Sequence, residues 1–231
     1  MDVPGTHNFR EVAPGVLRPG VLYRSDALDR LTGEGRHAIN DLGITLVIDL
    51  RSDLDLLLGG ADLFDGTGAA YVRYPVNSAG TNPDIESLDL RGIYRTILGP
   101  HGTEVAAAIG SVASASGPVV VHCTAGKDRT GLVAALILAA LGVGYDTVAA
   151  DFTATTANLA GAWSAELFAK VRGFGVEVTP QLVEVAAEAP EPVLRDTFAW
   201  LDSKYGGPAG YLKSIGIGED AIEALRQRLA R

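Results

Sequence analysis

Short runs of apolar and β-branched residues predict the strands of a buried sheet. Residues 44–50 and 118–122 are almost continuously apolar, as expected of strands that are covered on both faces. Residues 70–75 form a third run, and residues 8–25 form an extended start that turns at two Pro-Gly pairs. The polar residues 49–52 come at the end of the first run, so we expect them at the carboxyl edge of the sheet, where open α/β sheets bind ligands.

Apolar residues at helical spacing predict helices in most of the remaining chain. The predicted helices cover residues 32–42, 85–98, 104–115, 130–141, 146–159, 162–171, 180–189, 193–205 and 219–230. Gly43 and the Gly99-Pro100 pair end the first two of them. All the predicted strands therefore lie within the first 122 residues, among three of the helices, and the rest of the 231-residue chain is predicted to be helical.

This order of elements predicts an α/β fold with a central, mostly parallel sheet that is flanked by helices. No linker of distinct composition separates the strand-rich half from the helical half, and no repeat period is visible. Residues 1–231 are therefore predicted to form a single domain, which is large enough to bury a substantial core.

The only cysteine of the chain lies between a predicted strand and a predicted helix. Cys123 follows the run 118–122, and a polar loop then leads to the helix that begins near Thr130. A helix N-terminus binds anions through its unpaired N–H groups and dipole, and it favours the thiolate form of a cysteine. Arg129, six residues after Cys123, has a planar fork that can bind two oxygens of one phosphoryl group. Together these residues predict a site that holds and attacks a phosphate ester.

The stretch 122–131 resembles the Cys-x5-Arg phosphate loop of the protein tyrosine phosphatase superfamily. Its His-Cys-x-x-Gly-Lys-Asp-Arg-Thr-Gly form is similar to that of bacterial tyrosine and phosphoinositide phosphatases, including the secreted mycobacterial type. Four flanking motifs match the same subfamily in the same order, at residues 8–12, 22–25, 49–52 and 211–213. The resemblance covers almost the whole chain and implies a tyrosine phosphatase-like fold whose helical C-terminal half includes a lid.

The resemblance also implies a phosphocysteine mechanism. Cys123 would attack phosphorus in line, and Arg129 would bind the equatorial oxygens more strongly as charge develops. Thr130 would face the thiolate and ease its departure, with helix capping as its plainer role. His122 would order the loop. The implied substrate-binding residues are Thr124, Ala125, Gly126, Lys127 and Thr130, of which Ala125 and Gly126 are small enough for backbone N–H groups to converge on the phosphate.

Lys127 bears on the choice of substrate. It is expected to place a positive charge at the rim of the pocket, and in relatives this lysine is associated with multiply phosphorylated substrates such as phosphoinositides. Its plainer interpretation is a solvent-exposed lysine. We therefore expect a metal-independent phosphomonoesterase of the dual-specificity kind. Its partners would be phosphotyrosine proteins, with phosphoinositides as a further substrate class.

The general acid is harder to assign. A leaving tyrosine oxygen needs a proton, which a carboxylic acid usually donates. Relatives supply it from a loop after the strand predicted at residues 70–75, but this chain has Val76 and Asn77 there. Asp128 is the first candidate, because lipid phosphatases with an Asp-Arg pair at this loop position use that aspartate. Asp128 could instead form an ion pair that holds the loop. Asp84, in the predicted connector that follows, is the second candidate.

Other residue patterns exclude metal and nucleotide sites. The four histidines lack metal-ligand spacing, and a single cysteine cannot build a zinc site, so neither a metal nor another cofactor is expected. A nucleotide-binding P-loop would need glycine where Val121 stands and Ser or Thr where Asp128 stands. Asp49 and Arg51 are expected to orient the loop or, more plainly, to form an ion pair that holds the fold.

The composition is that of an ordinary globular protein, with 47% hydrophobic and 20% charged residues. A net charge of −9 argues against nucleic acid or an anionic membrane surface as a partner. The longest apolar run, residues 132–141, is too short to span a bilayer. No secretory signal is visible, and a free thiol suits a reduced cytoplasm. Because some relatives leave the cell without a recognisable signal, the resemblance also allows signal-less secretion.

Two alternative functions use a similar loop. A catalytically silent module would hold phosphoproteins without cleaving them, but such relatives typically lack the cysteine or the arginine, and this chain has both. A sulfurtransferase or an arsenate reductase would use the cysteine differently. Reduction normally needs a resolving cysteine, which this chain lacks, so an external thiol would have to serve.

Overall fold

The computed structural model describes residues 2–78 and 89–231, which contain a five-stranded sheet in the order β1-β2-β5-β3-β4. The strands are β1 (Arg10–Glu11), β2 (Leu22–Ser25), β3 (Leu46–Asp49), β4 (Ala70–Arg73) and β5 (Val119–His122). Strand β1 is antiparallel to β2, and the pairings of β2 with β5, of β5 with β3 and of β3 with β4 are parallel. The predicted mostly parallel sheet is therefore confirmed.

Helices cover most of the remaining described chain. They are α1 (Gly33–Asp41), α2 (Asp53–Gly59), α3 (Leu90–Leu98), α4 (Gly102–Ser114), α5 (Asp128–Ala140), α6 (Tyr145–Leu159), α7 (Ala162–Gly173), α8 (Pro180–Ala187), α9 (Glu191–Tyr205), α10 (Pro208–Ser214) and α11 (Glu219–Leu229). Most of them agree with the predicted helices to within a few residues. The first part of the helix predicted over 85–98 lies outside the described residues.

The short helices α2 and α10 were not predicted. Helix α2 has only seven residues and buries none of them, and its leucines Leu54, Leu57 and Leu58 are exposed, so its apolar positions are too few to identify a core-facing helix. Its start is fixed instead by a capping box, in which Ser52 Oγ accepts from the Asp55 N–H and the Asp55 carboxylate accepts from the Ser52 N–H at 2.8 Å. This local polar pairing, rather than burial, sets where α2 begins.

The sheet is covered on both faces, as its apolar strands predict. Val47 and Val120 contribute to a smaller core cluster that includes Ile39 of α1. The alternate residues of the same strands face a larger cluster, which draws on residues from Val12 to Leu229. Helix α5 crosses this larger cluster, and its residues from Arg129 to Leu138 are all buried.

The parallel register brings the carboxyl ends of three strands to one edge of the sheet. Ser25 and Asp49 both pair with His122, the last residue of the central strand β5. Cys123 is the next residue, so it emerges at the middle of this edge. Among the described residues, no helix has the length and apolar character needed to cross a membrane.

Candidate active site

Cys123 lies where the central strand gives way to the buried helix α5. The cysteine is 2% exposed, and residues 123–127 form the loop before the helix begins at Asp128. This start is two residues earlier than the sequence predicts, so both Asp128 and Arg129 belong to the first turn. The first-turn N–H groups of α5 therefore lie next to the loop, which is the arrangement that favours an anion.

Neighbouring residues hold the backbone of the loop with its carbonyl groups turned outward. The carbonyl oxygens of residues 124–126 accept hydrogen bonds from outside the loop, and their donors are the Ala27 N–H (3.1 Å), Asn8 Nδ2 (2.9 Å) and Arg24 Nη2 (2.8 Å). A trans peptide directs its N–H opposite to its C=O, and the described residues contain no cis peptide. The N–H groups of residues 125–127 therefore point toward the inner side of the loop, where a phosphate can accept from them.

Gly126 is required for this loop conformation. Its φ of +66° lies in the left-handed region, and a Cβ there would lie 2.2 Å from the Ser25 carbonyl oxygen. The donor Arg24 is fixed in turn by Asp151, whose Oδ2 lies 2.6 Å from Arg24 Nη1, and both side chains are buried. The loop is thus supported by β2 on one side and by α6 on the other.

Arg129 is held by a carboxylate that the sequence analysis missed. Its Nη1 donates to Asp55 Oδ2 at 2.7 Å and its Nη2 donates to Asp55 Oδ1 at 3.2 Å, so the pair is bidentate. Nη1 also donates to the Val76 carbonyl oxygen, and Nη2 to Thr124 Oγ1, each at 3.2 Å. The Thr124 hydroxyl donates to Asp55 Oδ1 at 2.7 Å. The signal that could have found Asp55 is the Ser-x-x-Asp capping box placed just after β3, at the ligand-binding edge of the sheet.

The charges of this group stabilise one another. Burial opposes the charged form of Arg129, but the charges of Cys123 and Asp55, with the Asp55 hydrogen bonds, raise the pKa of Arg129 above its ordinary value. Burial likewise opposes ionisation of Asp55, but the hydrogen bonds and charge of Arg129, together with hydrogen bonds from Ser52 and Thr124, lower the pKa of Asp55 well below its ordinary range. Both groups are therefore charged at neutral pH.

A second charged group lies beneath the loop. His122 Nε2 is 3.1 Å from Asp62 Oδ2, and the imidazole Nδ1 is 3.3 Å from the Cys123 carbonyl oxygen. Arg51 Nη2 lies 3.0 Å from Asp49 Oδ2 and 2.8 Å from Asp62 Oδ1, with all three side chains buried. The predicted ion pair of Asp49 and Arg51 is therefore confirmed, and it belongs to a network with His122 that supports the strand end.

This network has the composition of a metal site, but an arginine fills the role of the ion. One ligand atom each from Asp49, Asp62 and His122 can be chosen within 4.8 Å of one another. Arg51 already hydrogen-bonds or pairs with both carboxylates, so its guanidinium supplies their positive partner. Burial lowers the pKa of His122, but its close contact with the Asp62 carboxylate and the charge of Asp49 outweigh burial and raise that pKa.

The expected position of Lys127 at the rim of the pocket is wrong in this structure. Its side chain is 1% exposed, and Nζ donates to the carbonyl oxygens of Val185 (2.8 Å), Glu188 (2.7 Å) and Glu184 (3.4 Å). These carbonyls lie at the C-terminal end of α8, where the helix dipole is negative, and the Glu184 carbonyl also accepts from the Glu188 N–H at 3.2 Å. The Lys127 ammonium therefore has these carbonyls as its hydrogen-bond partners, and its side chain points toward α8.

The remaining predicted residues are placed as follows. Asp128 Oδ1 lies 3.2 Å from Lys127 Nζ, which is the ion pair considered as its alternative role. Thr130 is buried within the first turn of α5, so it does not cap this helix, and its hydroxyl has no hydrogen-bond partner among the described residues. Asp84 lies outside the described residues. The contact of Thr130 with the thiolate and the choice of general acid stay predictions.

The chain belongs to the tyrosine phosphatase family, whose sequence model matches residues 1–231. It is 30% identical to the triple specificity protein phosphatase PtpB of Mycobacterium tuberculosis over 97% of both chains. It is also 30% identical to a tyrosine-protein phosphatase of Nostoc commune, over 91% of this chain and 74% of that protein. Among solved structures, P. aeruginosa TpbA matches 79% of this chain and 98% of its own, with 18% identity and a TM-score of 0.40.

The family settles the reaction class. Members named as phosphatases match nearly the full length of this chain, and it retains Cys123 and Arg129 of the phosphate loop. The chain is therefore a cysteine-dependent phosphatase, and the silent module and the sulfurtransferase are not supported.

Proposed function

We propose that this enzyme removes the phosphoryl group from phosphotyrosine side chains of proteins. The observation that carries the proposal is the loop itself, in which Cys123 lies at a strand end, beside inward N–H groups of residues 125–127 and the bidentately held Arg129. Such a loop can bind a phosphoryl group through its N–H groups and its arginine. A relative with 30% identity over 97% of the chain is named a triple specificity phosphatase. We therefore include other phosphoesters among the proposed substrates.

The reaction proceeds in two displacements. The Cys123 thiolate attacks phosphorus, an S–P bond forms, the P–O bond to tyrosine breaks, and the leaving oxygen takes a proton. Water then attacks phosphorus and the S–P bond breaks, so that phosphate leaves and the thiolate is restored. Arg129 and the loop N–H groups bind the three equatorial oxygens throughout. We assign the proton donor to Asp128, which deprotonates water in the second step; this carboxyl is near the loop and partly exposed.

Lys127 supports a phosphotyrosine substrate over a phosphoinositide. A second phosphate group on a lipid headgroup would need a free cation at the rim. The Lys127 ammonium is instead bound to three carbonyl oxygens at the end of α8 and to Asp128.

Two further proposals follow from the sequence: residues 1–231 act as one catalytic domain, and the enzyme works in a reducing compartment that keeps its only cysteine as a thiol.

The test uses purified protein and para-nitrophenyl phosphate in the presence of a chelator. We expect release of nitrophenol by the wild type and none by Cys123→Ser. A panel of phosphotyrosine peptides, phosphoserine peptides and phosphoinositide vesicles then ranks substrates, and we expect phosphotyrosine to lead. Activity that survives Cys123→Ser or needs an added metal would contradict the mechanism, and a preference for phosphoinositides would contradict the substrate.

Aryl phosphates with leaving groups of different pKa test the role of Asp128. A general acid matters most for poor leaving groups, because good ones depart without a proton. Asp128→Asn should therefore lose rate mainly on phenyl phosphate and little on dinitrophenyl phosphate. An equal loss on both substrates would show that Asp128 only holds the loop.

A further inference from the structure

Asp55 contacts both polar side chains that face it from the phosphate loop. Its two carboxylate oxygens accept from Arg129, one from each terminal nitrogen, and Oδ1 also accepts from the Thr124 hydroxyl. Asp55 itself is tied to its own helix, because Oδ2 accepts from the Ser52 N–H and hydroxyl at 2.8 Å and 2.5 Å. The carboxylate therefore connects the start of its own helix to the guanidinium at the end of a long side chain.

The bidentate contact of Asp55 with Arg129 leaves one edge of the guanidinium available to another anion. Asp55 uses the Nη1–Nη2 edge, and a second Nη1 hydrogen is directed to the Val76 carbonyl. The Nε hydrogen has no partner within the described part of the chain, and the remaining Nη2 hydrogen makes only the 3.2 Å contact with Thr124. The Nε–Nη2 edge can therefore bind two phosphoryl oxygens while Asp55 keeps its own edge.

Fixing the guanidinium in advance matters because a free arginine has several rotatable bonds. A bidentate partner removes that freedom before the substrate arrives, so less ordering is left for the binding step. An alternative role for Asp55 is to occupy the phosphate site until the substrate displaces it. That role would require the carboxylate to cover the Nε–Nη2 edge of Arg129, but Asp55 covers the Nη1–Nη2 edge.

We infer that Asp55 is the positioning residue that orients Arg129 for the phosphoryl group, with the Thr124 hydroxyl as a further support of the pair. This inference rests on the phosphatase function proposed above, and it adds a residue on α2 to the machinery of the loop. Asp55 does not donate the proton, because its hydrogen bonds hold it in the ionised form. Its action is indirect, through the arginine that touches the substrate.

The experiment compares Asp55→Asn and Asp55→Glu with Asp53→Asn. Asp53 lies on the same helix and loses the same charge on substitution, but its side chain is 88% exposed and pairs with Arg73 rather than with Arg129. Each protein is assayed for kcat and KM on para-nitrophenyl phosphate and for competitive inhibition by inorganic phosphate. Thermal unfolding of each variant reports whether α2 has lost its cap.

We expect Asp55→Asn to lower kcat/KM by about 100-fold and to weaken phosphate inhibition by about tenfold, as for a misplaced binding group. Asp55→Glu should recover part of both, and Asp53→Asn should stay within about twofold of the wild type. An inhibition constant does not depend on the folded fraction. A purely structural role would therefore lower the melting temperature and the apparent kcat but leave phosphate inhibition unchanged, which would overturn the inference.

Two other results would also overturn it. Tighter phosphate inhibition in Asp55→Asn would show that the carboxylate competes with substrate, and unchanged kinetics would show that it has no role. An inactive wild type would instead count against the proposed function. In that case the phosphate affinity of wild type and Asp55→Asn, measured by calorimetry, still tests whether Asp55 orients the binding site.

Discussion

Replacement of Lys127 by methionine distinguishes two roles of this lysine: stabilising the end of α8, or binding substrate at the rim of the pocket. The ammonium makes two short hydrogen bonds, at 2.7 and 2.8 Å, and a longer one at 3.4 Å to the end of α8. Methionine has a similar length and no charge, so it removes these bonds while filling the same space. The carbonyl oxygens at the end of α8 then lose their buried partner.

The expected loss follows from those contacts. A hydrogen bond to a charged group contributes about 1.5–3 kcal/mol, so the two short bonds alone would give about 3–6 kcal/mol. Burying the ammonium opposes this gain, and the freed carbonyls of α8 can turn to water, so we expect a net loss near the lower end, about 3 kcal/mol. For a chain of this size that corresponds to a fall in melting temperature of about 6–12 °C.

Urea unfolding followed by tryptophan fluorescence measures the loss, and hydrogen exchange of α8 shows where it occurs. Lys170→Met is the matched control, because Lys170 is 58% exposed and pairs with Glu166 on the surface of α7; it should lose less than about 1 kcal/mol. The reasoning is refuted if Lys127→Met unfolds like the wild type. A selective rise in KM for a doubly phosphorylated substrate would then place the ammonium at the rim.

Three further predictions concern the support of the loop. Gly126→Ala should abolish activity, because a Cβ would lie 2.2 Å from the Ser25 carbonyl oxygen; turnover above about 1% of wild type contradicts this. Asp151→Asn should destabilise the chain by about 3–5 kcal/mol in urea, since it leaves the Arg24 charge buried and unpaired; an unchanged midpoint contradicts this. The pKa of His122 is raised in the folded protein, so its imidazolium contributes to folding stability in full below about pH 6.5. That stability is lost as the pH rises through the raised pKa. The stability difference between wild type and His122→Asn should therefore shrink as pH rises toward 9, and growth would refute it.

The local pattern of the sequence predicted the centre of the site well. The strand, the loop and the helix that surround Cys123 are adjacent in the chain, so a β-branched run followed by a polar turn and an apolar helix places them without knowledge of distant contacts. The same holds for the parallel sheet, whose apolar strands are covered on both faces. The ion pair of Asp49 and Arg51 could also be predicted, because the two residues lie two positions apart at a strand end.

Residues that reach the site from distant segments could not be found in this way. Asp55 is 74 positions from Arg129, and its helix α2 has no buried face to reveal it. Asp62 lies in the irregular segment between α2 and β4, and only the tertiary fold, in which its carboxylate also accepts from the Leu28 N–H, brings it to His122.

The amino-acid sequence by itself determined the strand, loop and helix around Cys123 and the parallel sheet that carries them, because these depend on neighbouring residues and on the period of apolar positions. Only the tertiary structure decided which partner each long charged side chain takes. Lys127 turns to the end of α8, which is 61 positions away at Glu188, and Arg129 turns to Asp55. A long flexible side chain can reach several partners, and the packing of the helices decides which hydrogen-bond acceptors lie beside its charge once that charge is buried.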